Sequence, residues 1–247
     1  MLIKLKRTRT HIEDRNLALC LATSAGLLNA MALAAFGFFP SHMSGNISQI
    51  SSDLNDMDIR NLKIFIAMIG AFVSGAVVAR ISVVLGVING LRTIFSCILL
   101  AEGLLLILTS LFEIYYFSSN NNAEILLLLA FLMGVHNSTS TQLSNGRVRS
   151  THITGTLTDA GISMGSVFIA LLRRDPSKNV RAFKQQLNTH LVTIFSFLTG
   201  GIVGLLIFNA LGSLMGPGLI LVVIASLSII FTLFKVKNRR HAKAVAS

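Results

Sequence analysis

The chain has 247 residues, of which 53% are hydrophobic and 13% charged, with a mean hydropathy of +0.72. This balance excludes an ordinary soluble domain as the default, because the apolar residues fall in blocks near the ~20 residues that a bilayer core demands. The net charge of +11 does not indicate nucleic acid, since the Lys and Arg lie at the ends of apolar blocks, as in membrane proteins.

Residues 1–16 form a basic tail with Lys4, Lys6, Arg7, Arg9 and Arg15. The apolar run 17–39 follows. Ala30-Met31-Ala32 imitates a signal-peptide cleavage site, but the run is long for a signal core and reads as an uncleaved first span. Further spans are expected at 64–79, extending towards 88, and at 94–112, 125–142, 191–211 and 219–234. A turn at 212–218 holds Pro217, and 236–247 is a second basic tail. Gly70, Gly75, Gly200, Gly201 and Gly204 supply small faces for close helix packing, and for a homodimer seam. Cys20 and Cys97 lie inside apolar blocks, where a small buried or lipid-facing role is expected rather than a disulfide or metal site.

Charge sets the expected orientation. With both termini in the cytoplasm of a bacterial inner-membrane protein, all 21 Lys and Arg except Arg60 and Lys63 face inward. Making 154–172 a seventh span would send Lys178, Arg181 and Lys184 outside. The polar stripe of 154–172 also suits protein or water better than lipid. Residues 154–172 and 44–57 therefore read as re-entrant or interfacial half-helices.

One motif organises the chain. Ser41-His42-Met43-Ser44-Gly45-Asn46 recurs 110 residues later as Thr151-His152-Ile153-Thr154-Gly155-Thr156. Upstream, Gly26 and Asn29 recur as Gly134 and Asn137. Downstream, the apolar face Ile47, Ile50, Leu54, Met57 matches Leu157, Ala160, Met164, Val167. The polar face Asn46, Gln49, Asp53, Asp56 matches Thr156, Asp159, Ser163, Ser166. Duplication explains this better than chance. The expected fold is an all-α polytopic membrane protein of about six transmembrane helices, built as two three-helix repeats, 17–117 and 123–235. An odd number of spans per repeat makes the repeats inverted, each with a half-helix after its His-x-Ser/Thr-Gly motif. That is a secondary-transporter architecture, with the site at the repeat interface.

The candidate substrate-binding residues are Asn29, His42, Ser44, Gly45, Asn46, Asn137, His152, Thr154, Gly155 and Thr156. Ser44 and Thr154 stand where N-caps are expected, and free N–H groups at two helix starts favour an anion. His42 and His152 read as proton carriers or ligand donors, or as residues that begin a helix and bond to carbonyls. Asn29 and Asn137 line the path or bond a neighbouring helix. Glu102, at midspan, reads as a proton-coupling group, as a partner of Arg80 or a His, or as a lipid-facing accident. Asp159 is the second proton-coupling candidate. There is no Walker A motif, no metal-ligand spacing and no Gly-x-Ser-x-Gly elbow, so no cofactor or metal is expected. The leading expectation is a carrier of a small anionic solute, not an enzyme. A non-transporting, partner-binding or envelope-associated membrane protein is the alternative, and an intramembrane enzyme using His42 or His152 as base is the weaker one.

The blocks Gly26-Leu27-Leu28-Asn29-Ala30, Phe36-Gly37-Phe38-Phe39-Pro40-Ser41-His42-Met43-Ser44-Gly45-Asn46, Met133-Gly134-Val135-His136-Asn137 and Arg149-Ser150-Thr151-His152-Ile153-Thr154-Gly155-Thr156-Leu157-Thr158 resemble the YoaK-like family of bacterial integral membrane proteins (domain of unknown function, family 1275). The resemblance covers most of 17–235. It implies a multi-span inner-membrane protein and supplies no substrate.

Overall fold

The computed structural model describes residues 11–91, 93–116, 122–173 and 178–211. They form seven helices: α1 (His11–Phe36), α2 (Met43–Asn55), α3 (Ile59–Ile88), α4 (Ile94–Tyr116), α5 (Asn122–Leu143), α6 (Ile153–Leu172) and α7 (Lys178–Leu211). No strand occurs among the described residues. α1 stops at Gly37, whose φ of 77° is a conformation that glycine adopts freely. α3 starts at Asp58, whose carboxylate accepts the Asn61 amide hydrogen at 3.1 Å.

Among the described residues, six helices are long and apolar enough to cross a membrane. They are not the six expected from the sequence. Ile153–Leu172 is among them, a continuous helix of 20 residues, whereas the expected span at 219–234 lies outside the described residues. α2, with 13 residues, reaches only about 20 Å at 1.5 Å per residue, short of the ~30 Å hydrocarbon core. The polar stretch 178–190, which precedes the span expected at 191–211, is the first part of one 34-residue helix, α7.

Much of the exterior is apolar, while polar groups are buried beside the apolar core clusters. Along α3, Ile66, Val73, Val77, Ile81 and Leu85 are all exposed, while Glu102, His136, Asn29, Thr139 and Ser140 are buried. In water such a surface would aggregate; against lipid tails it costs nothing. The same inversion holds in α2 and α6. Asn46 and Asp53 of α2 are buried while Ile47 and Leu54 are exposed, and Thr156 and Ser163 of α6 are buried while Leu157 and Met164 are exposed. The chain is a multi-pass helical membrane protein.

Two helix pairs make most of the contacts, α1 with α7 and α3 with α5. Thr23 abuts Gly200 and Leu27 abuts Gly204, so α1 and α7 run parallel. Ser138 bonds the Ala76 carbonyl and Arg80 bonds Gln142, so α3 and α5 also run parallel. α1 and α5 run in opposite directions. Arg147, just past the end of α5, donates from Nε to Asp14 at 2.5 Å near the start of α1, and His136 meets the Leu21 carbonyl one to two turns further in.

Both parallel pairs cross through glycine. A side chain on Gly26 would overlap the Phe197 carbonyl, and one on Gly134 would overlap the Phe72 carbonyl. Reciprocally, Gly200 faces the Thr23 carbonyl and Gly75 the Phe131 carbonyl. The second crossing repeats the first with helix positions advanced by 108 (26 to 134) and set back by 125 (197 to 72). Gly75, Gly200 and Gly204 thus serve contacts within the chain, whereas a side chain on Gly70 would meet no other described element within 4 Å.

Candidate functional site

Two turns, 37–42 and 144–152, each return the chain towards the helix it has just left. An asparagine anchors each return. Asn29 Nδ2 donates to Ser41 Oγ at 2.6 Å, and the Ser41 amide donates to Asn29 Oδ1 at 3.3 Å. Asn137 Nδ2 donates to Thr151 Oγ1, and the Thr151 amide donates to Asn137 Oδ1 at 3.4 Å. A side-chain amide offers a donor and an acceptor close together, and so grips one residue by both its hydroxyl and its backbone. Both asparagines line a cavity, and their bonds go to these turns rather than to a neighbouring helix.

The next residue is a histidine in both places. His42 and His152 are the N-cap residues of α2 and α6, at φ/ψ of −86°/61° and −86°/59°, and neither makes a side-chain capping bond. This corrects the expectation that Ser44 and Thr154 are the caps; they lie in the first turn. The first intrahelical bonds run from Asn46 N–H to the His42 carbonyl at 2.9 Å and from Thr156 N–H to the His152 carbonyl at 3.0 Å. The amides of Ser44, Gly45, Thr154 and Gly155 precede them and have no acceptor within their own helix.

The glycine of the motif has a local reason. Each imidazole folds back over its own first turn, where a side chain on Gly45 would overlap the His42 ring and one on Gly155 would overlap the His152 ring. Gly155→Ala is therefore expected to destabilise the protein by about 1–3 kcal/mol through overpacking. Adding His152→Ala should recover most of that loss in thermal melts. No recovery would mean that the ring is not what the glycine accommodates.

The two helix starts face one cavity of about 570 Å³. Its lining falls into pairs, one member from each half of the chain: Asn29 with Asn137, Ser41 with Thr151, His42 with His152, Met43 with Ile153, Ser44 with Thr154, and Phe72 with Phe197. Phe39 alone has no counterpart there. Among the described residues, no Asp, Glu, Lys or Arg lines the cavity. Each helix start carries the equivalent of roughly half a positive charge, so the wall is electropositive without a formally charged residue.

The remaining candidates stand behind or away from this wall. Gly45 and Gly155 lie under the histidine rings. Asn46 is buried on the inner face of α2, and Thr156 Oγ1 donates back to the His152 carbonyl at 2.9 Å. Asp159 is exposed on α6. Glu102 is fully buried but bonds His136 at 2.9 Å, away from the cavity lining. Arg80, the other partner considered for it, bonds Gln142 instead. Phe72 and Phe197 escaped the sequence reading, although a signal was present: Phe72-Val-Ser-Gly75 and Phe197-Leu-Thr-Gly200 are a second echoed motif, Phe-x-Ser/Thr-Gly.

Fold and site together define an all-helical, multi-pass membrane protein with a paired, uncharged cavity at two helix starts. The chain belongs to the family described as protein of unknown function (DUF1275), whose profile matches residues 17–233, in agreement with the sequence resemblance. No curated protein and no solved structure matches it.

Proposed function

We propose that the protein is a secondary carrier for a small anionic solute. In this reading it consists of two halves inserted in opposite senses, α1–α4 and α5 onward, with α2 and α6 starting inside the membrane. The observation that carries the proposal is the pairing of the cavity lining, in which equivalent residues of both halves converge on one space. Carriers of this architecture hold their substrate where repeats meet, at the ends of interrupted helices.

Several features support the details. Equivalent helices α1 and α5 run in opposite directions, and α2 and α6 turn polar faces inward and apolar faces outward, as membrane-embedded segments would. The Asp14–Arg147 bond joins the start of α1 to the α5–α6 loop, in keeping with both lying on the cytoplasmic side of a bacterial inner membrane. An electropositive wall without Lys or Arg would attract an anion yet release it, as transport requires. Phe39, Phe72 and Phe197 favour an anion with an apolar body.

Purified protein should be stabilised by such an anion. At a concentration about 100 times Kd, the gain is about 2.7 kcal/mol. Benzenesulfonate, nitrate, sulfate, phosphate and neutral aromatic controls would be compared by thermal shift, with the wild type and with Ser44→Ala plus Thr154→Ala. An anion shift that the double variant loses is expected. If no anion stabilises the wild type, or if the shift survives both substitutions, this site is not an anion site.

A further inference from the structure

One buried ionisable pair stands outside the cavity lining. Glu102 of α4 and His136 of α5 are each sealed from solvent, with Oε1 and Nδ1 2.9 Å apart. The other ring nitrogen, Nε2, lies 3.1 Å from the Leu21 carbonyl oxygen of α1. A carbonyl only accepts, so Nε2 carries a hydrogen. Between Nδ1 and Oε1 there is then room for one proton. Two would set donor against donor, and none would set a carboxylate against a lone pair. Whichever atom holds it, the pair carries a single shared proton and no net charge.

This arithmetic makes the pair a proton store that opens only with the fold. Adding or removing a proton in the packed state would bury an uncompensated charge. Glu102 Oε2 already has no bonding partner, so the carboxyl group has no second contact to absorb such a charge. Nor do the neighbouring elements help. On α1, Asp14 is held by Arg147 and Cys20 is partly exposed; on α3, Arg80 is held by Gln142; on α5, Glu124 is exposed. Among the described residues, Glu102 is the one ionisable side chain bonded to His136. Exchange with water therefore needs α4 or α1 to move off α5. α5 is also the helix whose next residue, Asn137, grips Thr151 at the cavity.

We infer that the Glu102–His136 bond is the proton-binding site of this protein, coupling one proton to movement of the anion. The inference rests on the carrier reading given above. When the helices part, the proton leaves to water, and Glu102 remains as a carboxylate beside a neutral imidazole. That negative charge, beside the wall built on Asn137, opposes an anion; refilling the pair with a proton removes the opposition. Proton and anion thus favour each other's binding, and by linkage the effect is reciprocal. The coupling is symport.

The test uses the full chain in liposomes with an entrapped pH dye. The probes are benzenesulfonate, nitrate and sulfate, strong-acid anions whose neutral forms do not carry protons across lipid. Two quantities are read for the wild type and Glu102→Gln: internal acidification driven by an inward anion gradient, and exchange of labelled anion at equal pH. Gln at 102 still donates a hydrogen bond to Nδ1 but cannot release a proton. The expected result is both activities in the wild type, and exchange without acidification in Glu102→Gln. A Glu102→Gln protein that still acidifies, or a wild type that exchanges anion without moving protons, overturns the proton site and leaves the carrier standing. Loss of both activities in a Glu102→Gln protein that melts and elutes like the wild type makes the pair structural and also overturns the inference. Absence of exchange by the wild type with every probe removes the carrier reading and this inference with it.

Discussion

Gly134→Val is expected to leave little folded protein, and Gly134→Ala to cost about 3 kcal/mol, the upper end of what overpacking usually costs. Most overpacked sites relax by moving a side chain. Here the group in the way is backbone: the new carbon would overlap the Phe72 carbonyl and sit 3.1 Å from the Ala76 nitrogen. Relief requires α3 and α5 to separate along their whole contact. Gly26→Ala, Gly75→Ala and Gly200→Ala should behave alike, because each faces a carbonyl of the partner helix. Gly70→Ala is the control. A side chain there would meet no other described element within 4 Å, and the effect should stay within about 0.5 kcal/mol. Thermal melts in detergent compare the series, and equal tolerance at Gly134 and Gly70 would refute the backbone crossing.

His136→Leu is expected to be the most damaging change among the buried polar groups, at about 3–5 kcal/mol, because it strands Glu102 in a site sealed from solvent. The Leu21 carbonyl suffers less, since it keeps its place within α1. Replacing both partners should be far milder than replacing one. Glu102→Leu added to His136→Leu removes the stranded group, and the double variant should regain most of the lost stability. A double-mutant cycle measures this directly. If the two losses simply add, the groups do not interact in the folded protein.

The contrast between what could and could not be read in the sequence follows from the kinds of signal involved. The helices were visible because apolar blocks of spanning length are a one-dimensional pattern. The cavity was visible because a motif appearing twice, with Gly and Asn upstream of it, leaves matched letters at matched spacing. Boundaries fared worse where polar residues continue a helix. Lys178 to His190 contains good helix formers such as Lys184, Gln185 and Gln186, so α7 starts well before its apolar stretch. The bounds of α6 were legible, because its amphipathic period begins right after the His-x-Thr-Gly motif and runs to Leu172. Glu102 stood out by itself, but its partner His136 lies 34 residues away on another helix, a relation no local spacing encodes. The N-cap was misplaced because Ser and Thr cap most helices, whereas here the histidine precedes them and leaves the amides bare.

The pairing of α1 with α7 also has a consequence for how the protein is made. A helical hairpin can close as soon as its second helix leaves the ribosome. α1 cannot, because its main partner begins at Lys178, after five other helices have been synthesised. Throughout that interval the groove at Gly26 is open and the carbonyls of Thr23 and Leu27 lack the neighbour that covers them. α3 waits far less, since α5 follows after a single intervening helix. Assembly should therefore proceed from the middle of the chain outward, with α3 and α5 as its first firm contact and the α1–α7 closure as its last. A chain truncated before α7 would carry its earliest helix into the bilayer without the surface it was shaped to meet.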